Sequence, residues 1–267
     1  MATETISGGL GEVRAASTAS GGTALTSTAT RIVLPFGTKQ ITLIPRNFAT
    51  AAVVKWNKNP WLTVIKTTDA LATEPTDYSY EAQDGSAATD VTLSGLSTAA
   101  ALDFLYVGSH VPFSGAQIDI DAANGNASVL TVKYRKSDNT WADISATDGT
   151  DNGGAAFGID GNVTWTVPTD WITARLFDTG DTKLNIGVAK QELYWTRWEV
   201  SVALDASTTL NSLLAINRDT AYAELIATTG WQEAVTVGPG GIASITALTD
   251  AGTANLVVDI ASRGRFA

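Results

Sequence analysis

From Leu193 to Leu204 the side chains alternate in character one by one. Tyr194, Thr196, Trp198, Val200, Val202 and Leu204 fall on one side of an extended chain, and Trp195, Arg197, Glu199, Ser201 and Ala203 on the other. A period of two belongs to a strand and does not fit an amphipathic helix. The same period recurs in Val129–Arg135, where Leu130, Val132 and Tyr134 oppose Thr131, Lys133 and Arg135. Asn124-Gly125, Asp148-Gly149 and Asp160-Gly161 punctuate the region with turn chemistry. The expected class is all-β, built as sandwiches.

Shorter strand signals set out an expected organisation. Residues 1–29 are rich in Gly, Ala, Ser and Thr with no apolar period, so a flexible N-terminal arm is expected there. Two readings of the arm stay open: a plain terminus, or a segment that orders on a neighbouring subunit. Ile32–Phe36 and Gln40–Ile44 read as a hairpin. They open a small β-sandwich or barrel over 30–107, in which the polar break Asn57-Lys58-Asn59-Pro60 separates two strands. Leu96–Leu102 is a short connector. A boundary near Gly108–Pro112 starts a second, jelly-roll-like sandwich over 108–218. A C-terminal β segment, 219–267, either forms its own subdomain or returns to complete the first sheet.

Composition narrows the chemistry. The chain has 267 residues with one His and no Cys, yet 8 Trp and 24 Gly. Most nucleophile–base and transition-metal chemistry draws on His or Cys. Absence of Cys removes disulfides and Cys–zinc sites and is compatible with folding in a reducing cytoplasm. A net charge of −10 disfavours direct contact with nucleic-acid phosphates and with anionic membranes. No stretch reaches the roughly 18 apolar residues of a spanning helix. Met1–Thr5 lacks the basic and apolar regions of a secretory signal. Charged residues are only 16% of the chain, which gives a smooth surface suited to contact with other protein.

His110 has no Cys partner, and no Gly-x-Ser-x-Gly elbow surrounds any Ser. A structural or solvent-facing role is expected for it. Asp119 and Asp121 share a strand face about 6–7 Å apart, within the range of glycosidase carboxyl pairs. They are expected instead to be solvated strand-edge acids. Asp119-x-Asp121-x-x-Asn124 and Asp148–Asn152 gather oxygen ligands of the kind calcium takes, but neither matches an EF-hand loop. The expectation is no metal, no cofactor and no catalytic residue. Trp165 and Trp198 are expected in the core. Trp195 lies on the opposite strand face, which a second sheet or another subunit must cover. Trp56, Trp61 and Trp171 sit near strand ends and are candidates to rim an interface. Arg263 and Arg265 form a small basic cluster that is either a solvated tail or an anchor on an acidic neighbour. Trp195, Trp171, Arg263 and Arg265 are thus the candidate partner-binding residues.

A longer phrase runs through the middle of the chain. It comprises Lys133-Tyr134-Arg135, Trp141-Ala142-Asp143-Ile144, Asp148-Gly149-Thr150, Val163-Thr164-Trp165, Pro168–Trp171 and Leu193–Val200. Over roughly 105–218 this order resembles the jelly-roll-like modules of tailed-phage structural proteins. It is a packing pattern, so no functional residues carry over. The resemblance implies a non-enzymatic virion component assembled in the host cytoplasm, first of all a capsid decoration or cement protein. Its partners would be the major capsid protein or other virion proteins, and its own assembly a homo-oligomer, with a trimer suspected. Trp-rich sandwiches also occur in carbohydrate-binding modules. The alternative reading is therefore such a module of a fibre or adhesin, and a third is a glycoside hydrolase using Asp119 and Asp121.

Overall fold

A computed structural model describes residues 12–16, 22–49, 53–68, 74–179, 190–217, 222–225 and 230–263. The protein is all-β: antiparallel sheets, three short 3-10 turns and no α-helix among the described residues. The chain divides into two compact units, one discontinuous (1–59 with 219–267) and one inserted within it (60–218).

The discontinuous unit takes β1 (Glu12–Ala16), β2 (Thr23–Leu25), β3 (Thr30–Val33), β4 (Thr38–Ala49) and β5 (Val54–Pro60) from its first half. The inserted unit supplies β6 to β17. The second half adds β18 (Ala223–Leu225), β19 (Trp231–Ala234), β20 (Ile242–Thr249) and β21 (Thr253–Arg263). One sheet runs β1-β21-β4-β19, with β2 also on β21, and the other runs β18-β5-β20-β3. The alternation of β4 explains its placement: Ile41 and Leu43 are fully buried, while Gln40, Thr42 and Ile44 are partly exposed. Leu256, Val258 and Ile260 of β21 and Ala243, Ile245 and Ala247 of β20 are buried as well, and in β20 Ser244 and Thr246 between them are buried too.

One open alternative is decided here, and two expectations change. The C-terminal segment is not a separate subdomain, since every one of its strands pairs with the first half of the chain. The expected hairpin of 32–36 with 40–44 does not form: β3 pairs with β20 and β4 with β21. Pro35, which has no N–H to give a ladder, lies where the chain passes from one sheet to the other, and Thr38 closes that turn onto the Pro35 carbonyl. The described part of the expected flexible arm is also structured. β2 pairs with Thr253–Leu256 of β21 and buries Leu25 completely, while β1 pairs with Asp259–Arg263. Its pairing is made by the main chain, which an apolar-pattern reading does not detect.

The inserted unit has a six-strand path, β12 (Trp141–Asp143), β11 (Leu130–Arg135), β16 (Leu193–Val200), β9 (Leu105–Ser109), β6 (Thr63–Lys66) and β7 (Thr76–Asp77), with β15 (Thr173–Ala174) as seventh strand on β16. The facing sheet is β13 (Thr147–Asp148), β14 (Gly161–Thr164), β10 (Phe113–Ala122), β17 (Thr209–Asn217) and β8 (Val91–Thr92). From β9 to β17 the longer strands alternate between the two sheets, while β6–β7, β11–β12, β13–β14 and β15–β16 pair within one sheet. The boundary expected at 108 falls inside β9, which pairs with β6 on one side and β16 on the other. The unit instead begins at Pro60, at the polar break 57–60.

An aromatic chain fills this sandwich. Phe157 stacks on Trp198, Trp198 meets Trp165 edge-on, Trp165 meets Phe113, and Phe113 meets Trp171, with centroids 5.4–6.4 Å apart. Such pairs add about 0.5–1.5 kcal/mol each beyond area burial. A buried indole N–H is costly to leave without an acceptor. Trp165 Nε1 donates to the Phe113 carbonyl at 2.9 Å, and Trp198 Nε1 to Thr196 Oγ1 at 2.9 Å, whose hydroxyl donates on to the Val107 carbonyl.

On the sheet's other face, Gly108 lies directly across from Trp195 in the ladder. A Cβ at Gly108 would sit 2.5 Å from the Trp195 ring, and that ring is fully enclosed. Gly108→Ala is expected to cost about 1–3 kcal/mol by overpacking, read as a lower urea midpoint. An unchanged midpoint would show that the Trp195 ring is free to move aside.

Candidate functional site

Of the candidate partner-binding residues, Trp195 lies on the face of the seven-stranded sheet turned away from the aromatic chain. It is fully buried there, among Ile65, Phe104, Tyr106, Leu176 and Leu193. Its Nε1 donates to the Ala174 carbonyl at 2.9 Å. The cover the sequence demanded for this face is supplied by the chain itself, from Ala99, Phe104, Ala174 and Leu176. Trp195 is therefore corrected from a partner-binding residue to a core residue. Trp171 is corrected likewise: it is 6% exposed, packs against Phe113, Tyr134 and Tyr194, and donates Nε1 to the Trp195 carbonyl at 3.2 Å. Trp56 and Trp61 are buried too, so none of the three expected rim tryptophans is at a rim. Arg263 ends β21, its main chain paired to Glu12. Arg265 lies outside the described residues.

Beside Trp195 the same face carries charge that the sequence did not single out as a site. In the ladder Lys133 lies opposite Arg197, and Arg135 opposite Trp141. The Arg197 guanidinium lies 4.5 Å from the Phe104 ring centroid and 5.0 Å from that of Trp141, and the Arg135 guanidinium is 5.6 Å from the latter. Glu199 pairs with Lys133 at 2.8 Å and Arg197 at 2.7 Å. Arg135 and Glu199 are buried at 8% and 7% exposure. The period-two pattern does place these charges on the Trp195 face. What it lacks is the register that brings them together and the cover that removes them from water.

The carboxylates expected to be structural have partners within the chain. Asp119 accepts from Asn211 Nδ2 at 3.0 Å, and Asp121 from Thr209 Oγ1 at 2.8 Å, both on β17. Asp148 Oδ1 accepts from the Thr150 amide and hydroxyl. Asn124 is a buried hub: Nδ2 donates to the Ala156 and Asn126 carbonyls, and Oδ1 accepts from the amides of Asn126 and Asp205. No cluster of three or more His, Asp or Glu suited to a metal occurs among the described residues. His110 is exposed at the end of β9. Lys66, not singled out from the sequence, is buried and donates to the Thr92 and Ser94 carbonyls at 2.8 Å. Burial holds its ammonium below the ordinary lysine range, opposed by the charge of Asp103.

Asp205 accepts from the Gly125 amide, from both the amide and the hydroxyl of Ser207, and from Thr208 Oγ1. These bonds, led by Gly125, pull its pKa down to about 2. A depressed carboxylate stabilises the fold above its unfolded pKa, and that contribution is lost as pH falls through the folded value. The stability difference between the wild type and Asp205→Asn is expected to shrink as pH falls from about 4 to about 2. A difference that stays constant over that window would show that these bonds do not act on the charge. Comparison with protein-family models, curated proteins and solved structures finds no match to this chain.

Proposed function

We propose that this protein is a non-enzymatic structural component of a tailed-phage virion, of the decoration or cement kind, which bridges neighbouring subunits through its strand edges. The observation that carries the reading is the position of β1. It is the outermost strand of its sheet, five residues long, and is held by main-chain pairing to the last strand of the chain. A Ser/Ala/Gly-rich stretch, residues 17–22, separates it from β2. An edge strand of this kind is suited to pairing with, or exchanging onto, a neighbouring copy or a shell protein. A low charged fraction suits the same role, and many weak contacts on a symmetric shell add through avidity. The resemblance over 105–218 supports the virion setting and suggests a trimer.

Light scattering on the purified full chain tests this reading. The expected mass is a defined multiple of 27.8 kDa, falling towards a single copy when residues 1–16 are removed. A monomer that also fails to bind phage shells would overturn it.

A further inference from the structure

We propose that Arg135 and Trp141 form a binding site for a carboxylate group, on the charged face beside Trp195. Arg135 is the last residue of β11, and its strand pattern alone would place it in water. Instead it is more than nine-tenths buried. Its Nε is enclosed without an acceptor, and no hydrogen bond or ion pair to its guanidinium is made among the described residues. Its one described side-chain interaction is with the Trp141 ring. Burying a charge without a partner is costly, and a cation–π contact offsets about 0.5–2 kcal/mol of that.

The neighbouring acids do not serve Arg135. Glu199 is engaged by Lys133 and Arg197. Asp143, opposite Lys133 on β12, is exposed and accepts from the Ser145 amide. Asp138 and Asp170 lie near Lys136. Arg135 thus stands beside a Glu199 already engaged by two other cations. A guanidinium presents a planar fork that matches a carboxylate in bidentate fashion, and the Trp141 ring gives a flat wall beside it. A small organic acid and the acidic side chain of a docking protein share this chemistry. The proposal does not rest on the virion reading.

The test is a titration of the full-length protein, followed by 15N NMR at the Arg135 Nε–H and the Trp141 indole N–H. The latter is assigned with Trp141→Phe. Sodium acetate and N-acetylglutamate α-amide are compared with sodium chloride at equal ionic strength. Both carboxylates are expected to shift the two signals saturably, and chloride is not. Tighter binding of the glutamate probe points to a protein side chain as the natural source, and equal binding to a small acid. Arg135→Lys, which keeps the charge and loses the fork, is expected to weaken binding about tenfold, the loss of one charge-assisted bond. Arg135→Met, where it folds by circular dichroism, is expected to abolish it. The proposal is overturned if carboxylates move neither signal beyond chloride. It is equally overturned if binding to the Lys variant is undiminished, or if inorganic phosphate saturates the site where carboxylates do not.

Discussion

A buried tryptophan brings a large apolar ring and one N–H that is costly to leave without an acceptor. In the inserted unit this requirement organises the sandwich. Trp165 and Trp198 belong to the aromatic chain between the sheets, and their donors end on the Phe113 carbonyl and on Thr196. Trp171 and Trp195 are linked to one another: the first donates to the carbonyl of the second, and the second donates to Ala174. The Trp195 ring needs both a glycine across the ladder and a cover above it. Gly108 provides the first, and Ala174, Leu176 and Phe104 provide the second. The seven-stranded sheet is thereby covered on both faces around Trp195, and the charged residues next to it are drawn out of water.

The local half of the fold was legible in the sequence. β11 and β16 follow their alternating patterns, with Val132, Tyr134, Trp198 and Val200 all buried on the predicted face. The hairpin that carries Trp141 also forms as read. Legibility ends where pairing becomes long-range. Nothing local in Ile32 and Val33 shows that their partners are Ile245 and Ser244. Nor do 12–16 carry an apolar stripe, since an edge strand joined through its main chain does not need one. β16 stops at Val200 although the alternation runs to Leu204, because the chain there turns: Val202 is exposed, while the Leu204 amide donates to the Leu96 carbonyl.

The candidate site was legible only in part. The sequence showed that the Trp195 face needs a cover, and that Arg197 and Glu199 share it. It did not show that the cover comes from the same chain, which turns a partner-binding tryptophan into a core one. It gave Arg135 no distinction from any other strand-end arginine. The functional reading therefore moves from exposed tryptophans to strand edges and to one buried cation. A carbohydrate-binding role through Trp195 loses its footing, because an enclosed ring cannot stack on a sugar.

The most direct measurement is the equilibrium urea unfolding of Trp195→Ala. If Trp195 holds the second face of the sheet, truncation leaves a cavity and an unpaired Ala174 carbonyl. The expected loss of stability is about 3–5 kcal/mol, seen as a large fall in the unfolding midpoint with little change in slope. A variant within about 0.5 kcal/mol of the wild type, as for an ordinary surface substitution, would contradict the account and return Trp195 to the surface as a candidate for binding.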